Sequence, residues 1–238
     1  MSGLPVEPNL IIAFSGRKHG NMSLYYGKAD EALNNRRIFL SSLGIDYRDL
    51  VCARQIHGDS IRYVTESDKG NGAGSYGGSM ADTDGFITDR KNVPISVFTA
   101  DCLSLFLYDP DKPAIGLMHC GWRSSKSRIA AKAIKLMQER FNTAPENICA
   151  GFGSSIRGCC YQVSEDFKEY FSEGLNKKEG HFYLDLAEVN AKELLVAGVK
   201  KENIFPPQAC TFCHNEEFFS FRKEGDSCGR MISVMMLK

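Results

Sequence analysis

The chain reads as an α+β protein, and three observations predict it. Short apolar runs of strand character recur from residue 10 to residue 237. Between them lie segments whose apolar residues return at helical spacing. The two kinds do not alternate regularly, as a doubly wound parallel sheet would require. No repeat and no linker-like stretch interrupts the pattern, so residues 1–238 are read as one domain.

Leu10 to Phe14 is an apolar strand closed by the turn-like Ser15-Gly16-Arg17. Asp30 to Leu43 carries Ala32, Leu33, Ile38, Leu40 and Leu43 near helical spacing, and Gly44 can stop that helix. Val51 to Gln55 and Ile61 to Val64 read as strands joined by His57-Gly58-Asp59-Ser60. Lys69 to Met80, rich in glycine and poor in apolar side chains, reads as a long surface connection or a lid over a site. Val93 to Ala100 and Leu103 to Tyr108 are dense buried strands interrupted by Asp101-Cys102. Ala114 to Met118 is another, ending at His119-Cys120-Gly121-Trp122.

Ser125 or Ser127 is expected to cap a helix through Phe141, with Ile129, Ala133, Ile134, Met137 and Phe141 as its buried stripe. Ile148 to Phe152 reads as a strand, Glu165 to Phe171 as a short helix and Leu184 to Val196 as a longer one. Phe218 to Phe221 and Met231 to Leu237 read as closing strands.

Composition narrows the function. Lysines plus arginines equal aspartates plus glutamates at 29 each, which leaves no excess of basic charge for non-specific nucleic-acid binding. No apolar run approaches the roughly 20 residues of a membrane helix. The start, Met1 to Gly20, lacks a basic stretch leading into an apolar one, so export is not expected. Nine cysteines in such a chain point to reduced thiols, metal ligands or redox chemistry in the cytoplasm.

Three potential ligands each follow a strand-like run on a polar break: His57, Cys102 and His119. Two imidazoles and a thiolate suit zinc, and three protein ligands leave a fourth position open for water or substrate. The plainer reading is ordinary buried histidine and cysteine. If the strand before His119 continues, Cys120 points to its opposite face and into the core. Cys210-Thr211-Phe212-Cys213-His214 has the spacing of a redox or haem-attachment pair. A structural zinc there needs a second ligand pair, which Cys159-Cys160 supplies only if folding brings it near; reduced thiols are the simpler expectation. Gly121 to Ser125 opens a helix beside His119 and, with Arg123, suits an anion. Arg17 and Arg222 are loop-edge arginines suited to phosphate, or surface ion pairs. Trp122 suits stacking on a base or packing in the core.

At these residues the sequence resembles the YfiH-type laccase-domain family, polyphenol oxidase-like proteins associated with purine nucleoside phosphorolysis. The ordered series comprises Phe14-Ser15-Gly16-Arg17, Asn35-Arg36, Gln55-Ile56-His57-Gly58, Asp82-Thr83-Asp84-Gly85, Thr99-Ala100-Asp101-Cys102 and His119-Cys120-Gly121-Trp122-Arg123. Cys159-Cys160-Tyr161-Gln162-Val163, Cys210-Thr211, Phe218 to Arg222 and Gly229-Arg230-Met231 complete it. The chain departs from the family at Cys120 (usually Ala), at Ser124 (usually Gly) and in the loop 153–158, which lacks two prolines and gains Arg157.

The resemblance implies a single layered α/β sandwich with mixed β-sheets, similar in fold to the CNF/YfiH-like cysteine hydrolases, and a catalytic zinc on His57, Cys102 and His119, with copper as the other ion the set accepts. It implies a purine nucleoside phosphorylase acting on adenosine, inosine and methylthioadenosine with phosphate held by Arg17 and Arg222, and adenosine deaminase as a side activity. Its expected partners are a small purine nucleoside and phosphate, with neither nucleic acid nor membrane. Two rival chemistries use the same residues. One is an amide or peptidoglycan-editing hydrolase with Cys102 as nucleophile and His119 as base. The other is a copper phenol oxidase, disfavoured because the chain has five histidines and a multicopper centre needs many more imidazoles.

Overall fold

A computed structural model describes residues 7–238; the part of the amino-terminal reading that falls on residues 1–6 lies outside it. Among the described residues the strands, in chain order, are β1 (Leu10–Phe14), β2 (Val51–Cys52), β3 (Ile61–Tyr63), β4 (Gly85–Thr88), β5 (Ile95–Thr99), β6 (Leu103–Asp109) and β7 (Ala114–Cys120). They continue with β8 (Cys149–Phe152), β9 (Gln162–Val163), β10 (Leu175–Lys178), β11 (His181–Leu184), β12 (Ile204–Phe205) and β13 (Met231–Leu237). The helices are α1 (Ala29–Ser41), α2 (Trp122–Lys126), α3 (Ile129–Phe141), α4 (Leu186–Val196) and α5 (Phe221–Glu224).

Two mixed sheets form the body. One has the order β12-β8-β6-β7-β4-β3, the other β1-β13-β5-β2, and a small third sheet joins β10, β11 and β9. The pleat explains how they stack, because side chains alternate between faces. On β6, Leu103, Leu105 and Leu107 pack with α3 and α4, whereas Phe106 and Tyr108 face the four-stranded sheet. On β13, Met235 and Leu237 face inward, while Ile232, Val234 and Met236 pack against Leu40 and Phe39 of α1. The layers therefore run helix, sheet, sheet, helix. The α+β content is what the patterning predicts, and the mixed sheets are what the family resemblance implies.

The long hairpin β6–β7 is the centre of the larger sheet. Every residue of both strands is buried, which is why the sequence there shows dense apolar runs and little alternation. The tight turn between them is held by Asp109, whose carboxylate accepts from the amides of Asp111 and Lys112.

Several elements differ from expectation. The helix through Phe141 is broken in two: Arg128 adopts a left-handed φ of 61°, ends α2 and starts α3. Neither serine caps it, and the Ser125 hydroxyl instead accepts from the Asn190 amide at 2.8 Å. Phe218 to Phe221 forms no strand. The carboxylate of Glu224 accepts from the Ser220 amide and turns the chain into α5. Leu184 belongs to β11, and α4 starts after Asp185, whose carboxylate caps Ala187 and Glu188. The segment 69–80 is pinned: the buried Arg36 guanidinium donates to the carbonyls of Gly72 and Ala73, and Met80 donates to Cys52. No described helix is long and apolar enough to cross a membrane.

Candidate active site

Two connections between strands and the end of a third strand converge on one point. His57 lies in the loop after β2, Cys102 in the link from β5 to β6, and His119 on β7, paired with Ser104. Their potential ligand atoms all lie within 4.8 Å of one another, and the two imidazole rings stand edge to face, 4.8 Å apart. Cys120, the next residue of β7, is fully buried in the helix-covered core on the other side. The alternation of the strand thus separates a site histidine from a packing cysteine.

Two of the three ligands depend on backbone that L residues rarely adopt. His57 itself has φ 60°, and Asp101, directly before Cys102, has φ 86°. Such conformations cost on the order of 1–3 kcal/mol each and persist only where neighbours over-determine them. For Asp101 those neighbours are the Thr211 hydroxyl, donating at 2.6 Å, and the Arg222 amide, donating at 2.7 Å. For His57 the neighbour is Asp84.

Asp84, named in the sequence only as part of Asp82-Thr83-Asp84-Gly85, was given no role there. It is fully buried just before β4 and accepts from the amides of Ile56, His57 and Gly58 at 3.2, 3.0 and 2.7 Å. Its Oδ1 also lies 2.8 Å from Nδ1 of His119. Burial pushes this carboxyl up, but His119 and the backbone amides outweigh burial and hold it below the ordinary carboxylate range. An ionised Asp84 fixes the proton of His119 on Nδ1 and leaves Nε2 to face the site, the arrangement by which a carboxylate supports a metal-binding histidine. The signal was present in the sequence as an acid at the mouth of a wholly buried strand, Gly85–Thr88.

The site electrostatics are those of a coupled pair. Burial by itself pushes the Cys102 thiol up; the charge of His119 and hydrogen bonds from His119 and His57 prevail and bring it down to about 6. Burial opposes the charged form of His119, yet Cys102 and Asp84 raise it to about 9. Without an ion the pair is thiolate and imidazolium near neutrality; a metal bound there would displace the Nε2 proton and leave the one on Nδ1.

Gly121 closes the site from behind. Its φ of −78° is open to any residue, so glycine is needed here for close approach alone. A Cβ at this position would lie 2.9 Å from Cδ2 of His57 and 3.4 Å from the Cys102 sulfur. Gly121→Ala is therefore expected to cost about 1–3 kcal/mol and to weaken metal binding by about 10- to 100-fold. Isothermal titration of zinc into the folded variant measures it, and unchanged affinity would contradict this packing.

The three ligands form part of the lining of a cavity of about 410 Å³, within the size range of small-molecule sites. Tyr25, Tyr26 and Tyr76 form an aromatic cluster on its wall, with ring centroids 4.9 and 4.7 Å from Tyr25. Arg36 and Arg230 supply cationic lining, the latter stacked 3.8 Å over Tyr26. Arg36 was legible as a charge on the buried face of α1, between Ala32 and Leu40.

The arginines singled out from sequence lie elsewhere. Arg17 donates to the carbonyls of Asn215 and Phe218 and to the Glu224 carboxylate, and is not part of the cavity lining. Arg222 donates to the Gln162 carbonyl and stacks on Tyr161, also off the lining. Trp122 packs against Phe167 and Tyr170 under the cation of Arg123. Arg157, gained in the loop 153–158, pairs with Asp185 at 2.9 Å and so serves the start of α4.

A family model described as multi-copper polyphenol oxidoreductase laccase matches residues 15–238. The chain belongs to this laccase-like family. Among its relatives, the purine nucleoside phosphorylase YlmD of Geobacillus stearothermophilus is 34% identical, with 90% of this chain and 82% of that protein covered. The adenosine deaminase RL5 of an unknown prokaryotic organism is 30% identical, covering 92% and 87%. The crystal structure of the G. stearothermophilus YlmD superposes with a TM-score of 0.93 at 31% identity, covering 97% of this chain and 93% of that one. A Bacillus licheniformis protein, YfiH, gives 0.91 at 30%, covering 96% and 93%. The laccase-like family's name evokes multicopper chemistry, but only His57 and His119 share a candidate metal group in this member. His214 groups with Glu216 and Glu217, and neither His19 nor His181 belongs to a group among the described residues.

Proposed function

We propose that this protein is a zinc-dependent purine nucleoside phosphorylase. It converts adenosine, inosine or methylthioadenosine and phosphate into the free base and the ribose 1-phosphate, with adenosine deamination as a second reaction. The observation that carries the proposal is the meeting of His57, Cys102 and His119 around one point on a nucleoside-sized cavity. The donor set suits the ion: one thiolate and two imidazoles, one of them oriented by a buried carboxylate. When bound there, the ion supplies a Lewis acid beside the purine.

The remaining work falls to the chain itself. Phosphorolysis forms a bond from phosphate oxygen to C1′ and breaks the glycosidic bond, whose electron pair goes to the purine. Positive charge gathers on the ribose and negative charge on the base. Tyr25, Tyr26 and Tyr76 offer aromatic faces on which a purine stacks. Arg230 and Arg36 are the cavity's guanidinium groups; Arg36 is buried and donates to the carbonyls of Met22, Gly72 and Ala73, so we assign phosphate to Arg230 in place of Arg17 and Arg222, which are not part of the lining. Asp84 keeps the His119 proton on Nδ1 throughout. For deamination, water would add at C6 of adenine and ammonia would leave, the ion held by His57, Cys102 and His119 supplying the acidity that activates the water.

A second reading has its own support. Cys102, His119 and Asp84 stand in the order nucleophile, base and orienting carboxylate, the arrangement of a thiol amide hydrolase and in keeping with a kinship to Cys/His hydrolases. Incubating metal-analysed protein with adenosine, with and without phosphate, separates the two. Adenine and ribose 1-phosphate formed only with phosphate, and lost on chelation, are expected. Inosine alone would leave the deaminase. No product from any purine nucleoside, together with thiol-dependent amidase activity in metal-free protein, would sink the phosphorylase reading.

A further inference from the structure

Outside the cavity, folding brings together four cysteines from two distant segments. Cys159 and Cys160 lie in the turn after β8, and Cys210 and Cys213 lie in the turn that leads to α5. Their sulfur atoms all lie within 4.8 Å of one another. Cys213 is 3.3 Å from Cys160 and 3.8 Å from Cys159. We propose that these four thiols form a second metal site, a closed tetrathiolate centre for zinc, separate from the His57–Cys102–His119 group.

Three features carry this. First, zinc–sulfur bonds of about 2.3 Å in a tetrahedron set sulfurs about 3.8 Å apart, close to the spacing seen, whereas a disulfide needs about 2.05 Å. Second, the ligand set is complete at four, the number that distinguishes a structural zinc from a catalytic one. Third, backbone hydrogen bonds hold both segments as turns before any ion binds: the Cys160 amide donates to the Arg157 carbonyl at 2.8 Å and the His214 amide to the Cys210 carbonyl at 3.0 Å. The four sulfurs are thereby positioned by the chain itself. On binding, the four thiols release their protons to solvent and the centre carries two net negative charges, with no change of oxidation state. The small span of the sulfurs fits one ion and not a multi-iron cluster.

The position gives the centre a task. One side of it continues into Ser155, whose carbonyl accepts from the Thr211 amide, and into Tyr161, which lies under Arg222. The other continues into Thr211 and Arg222, the two residues that hold Asp101 in its left-handed conformation before Cys102. The ion would clamp the chain that aims the Cys102 thiol without touching the cavity.

Metal analysis of protein purified under reducing conditions without chelator tests the proposal. Cys213→Ser and Cys159→Ser should each lower the zinc content by about one ion per chain relative to wild type, and His119→Ala should retain that ion. Cobalt-loaded His119→Ala should show the intense visible bands of a tetrathiolate site, and chelator should expose four additional thiols to a thiol reagent in that folded variant, against five in wild type, where Cys102 is released as well. Cys159 is exposed, so its serine variant tests the site even if Cys210→Ser fails to fold. Equal zinc in wild type and both serine variants would overturn the proposal. So would a Cys160–Cys213 disulfide in freshly purified, metal-free protein.

Discussion

Asp84→Asn is expected to lower zinc affinity at the His57–Cys102–His119 site by about 10- to 100-fold, the usual effect of losing the carboxylate behind a metal-binding histidine. The reason lies in the four donors that converge on this side chain: three successive amides of the His57 loop and the His119 ring. An asparagine keeps one accepting oxygen and turns the other position into a donor, so at least one buried N–H is left facing another. Each such unsatisfied group costs about 1–3 kcal/mol. The His57 loop also sits at a positive φ, and without Asp84 nothing else described holds its amides in place. Metal-free Asp84→Asn should therefore melt earlier than metal-free wild type, by several degrees, in addition to binding metal weakly. Calorimetry of both forms measures each effect. A variant with wild-type affinity and melting temperature would show that Asp84 positions neither histidine.

The second large effect concerns Cys102. Cys102→Ala should lose the ion and with it phosphorolysis, a loss exceeding the roughly 100-fold expected from a supporting residue. Its pH behaviour is equally specific. In metal-free protein, alkylation of Cys102 by iodoacetamide should be half-maximal near pH 6, because the thiol is held down to about 6 against an ordinary 9.0. His119→Asn should move that midpoint upward, and bound zinc should suppress the reaction.

Stability is a poor reporter of the same pair. The depressed Cys102 value contributes stability that is fully present only above the unfolded value of 9.0 and is lost as pH falls through about 6. The raised His119 value contributes stability that is full below 6.5 and is lost as pH rises through about 9. Between about 6.5 and 9 the two slopes have opposite sign and cancel, because folded and unfolded states bind the same number of protons. Alkylation of metal-free protein with a midpoint near 9 would contradict the ion pair.

What the sequence carried by itself was everything that depends on local chemistry. The buried hairpin Leu103–Asp109 and Ala114–Cys120 was legible because both faces of each strand are apolar. The opposition of His119 and Cys120 followed from the period of a strand, and each ligand of the principal site stood on a polar break after an apolar run. Elements whose form is set from outside were not legible. The break at Arg128 and the turn into α5 arise from a left-handed residue and from Glu224 capping Ser220, and neither leaves a mark in hydrophobic spacing. The same holds for the phosphate arginines. Arg17 was read as suited either to phosphate or to an ion pair; it makes the ion pair, with Glu224 far along the chain at 2.6 Å, and no local pattern names that partner.

Convergence was the part that only tertiary structure decided. Whether His57, Cys102 and His119 share a point, whether Asp84 stands behind two of them, and whether Cys159-Cys160 meets Cys210 and Cys213 all depend on contacts between residues dozens of positions apart. Local propensity acts over a few residues. The placement of these groups is set by how two sheets stack, and that is determined by the burial of side chains from the whole chain at once.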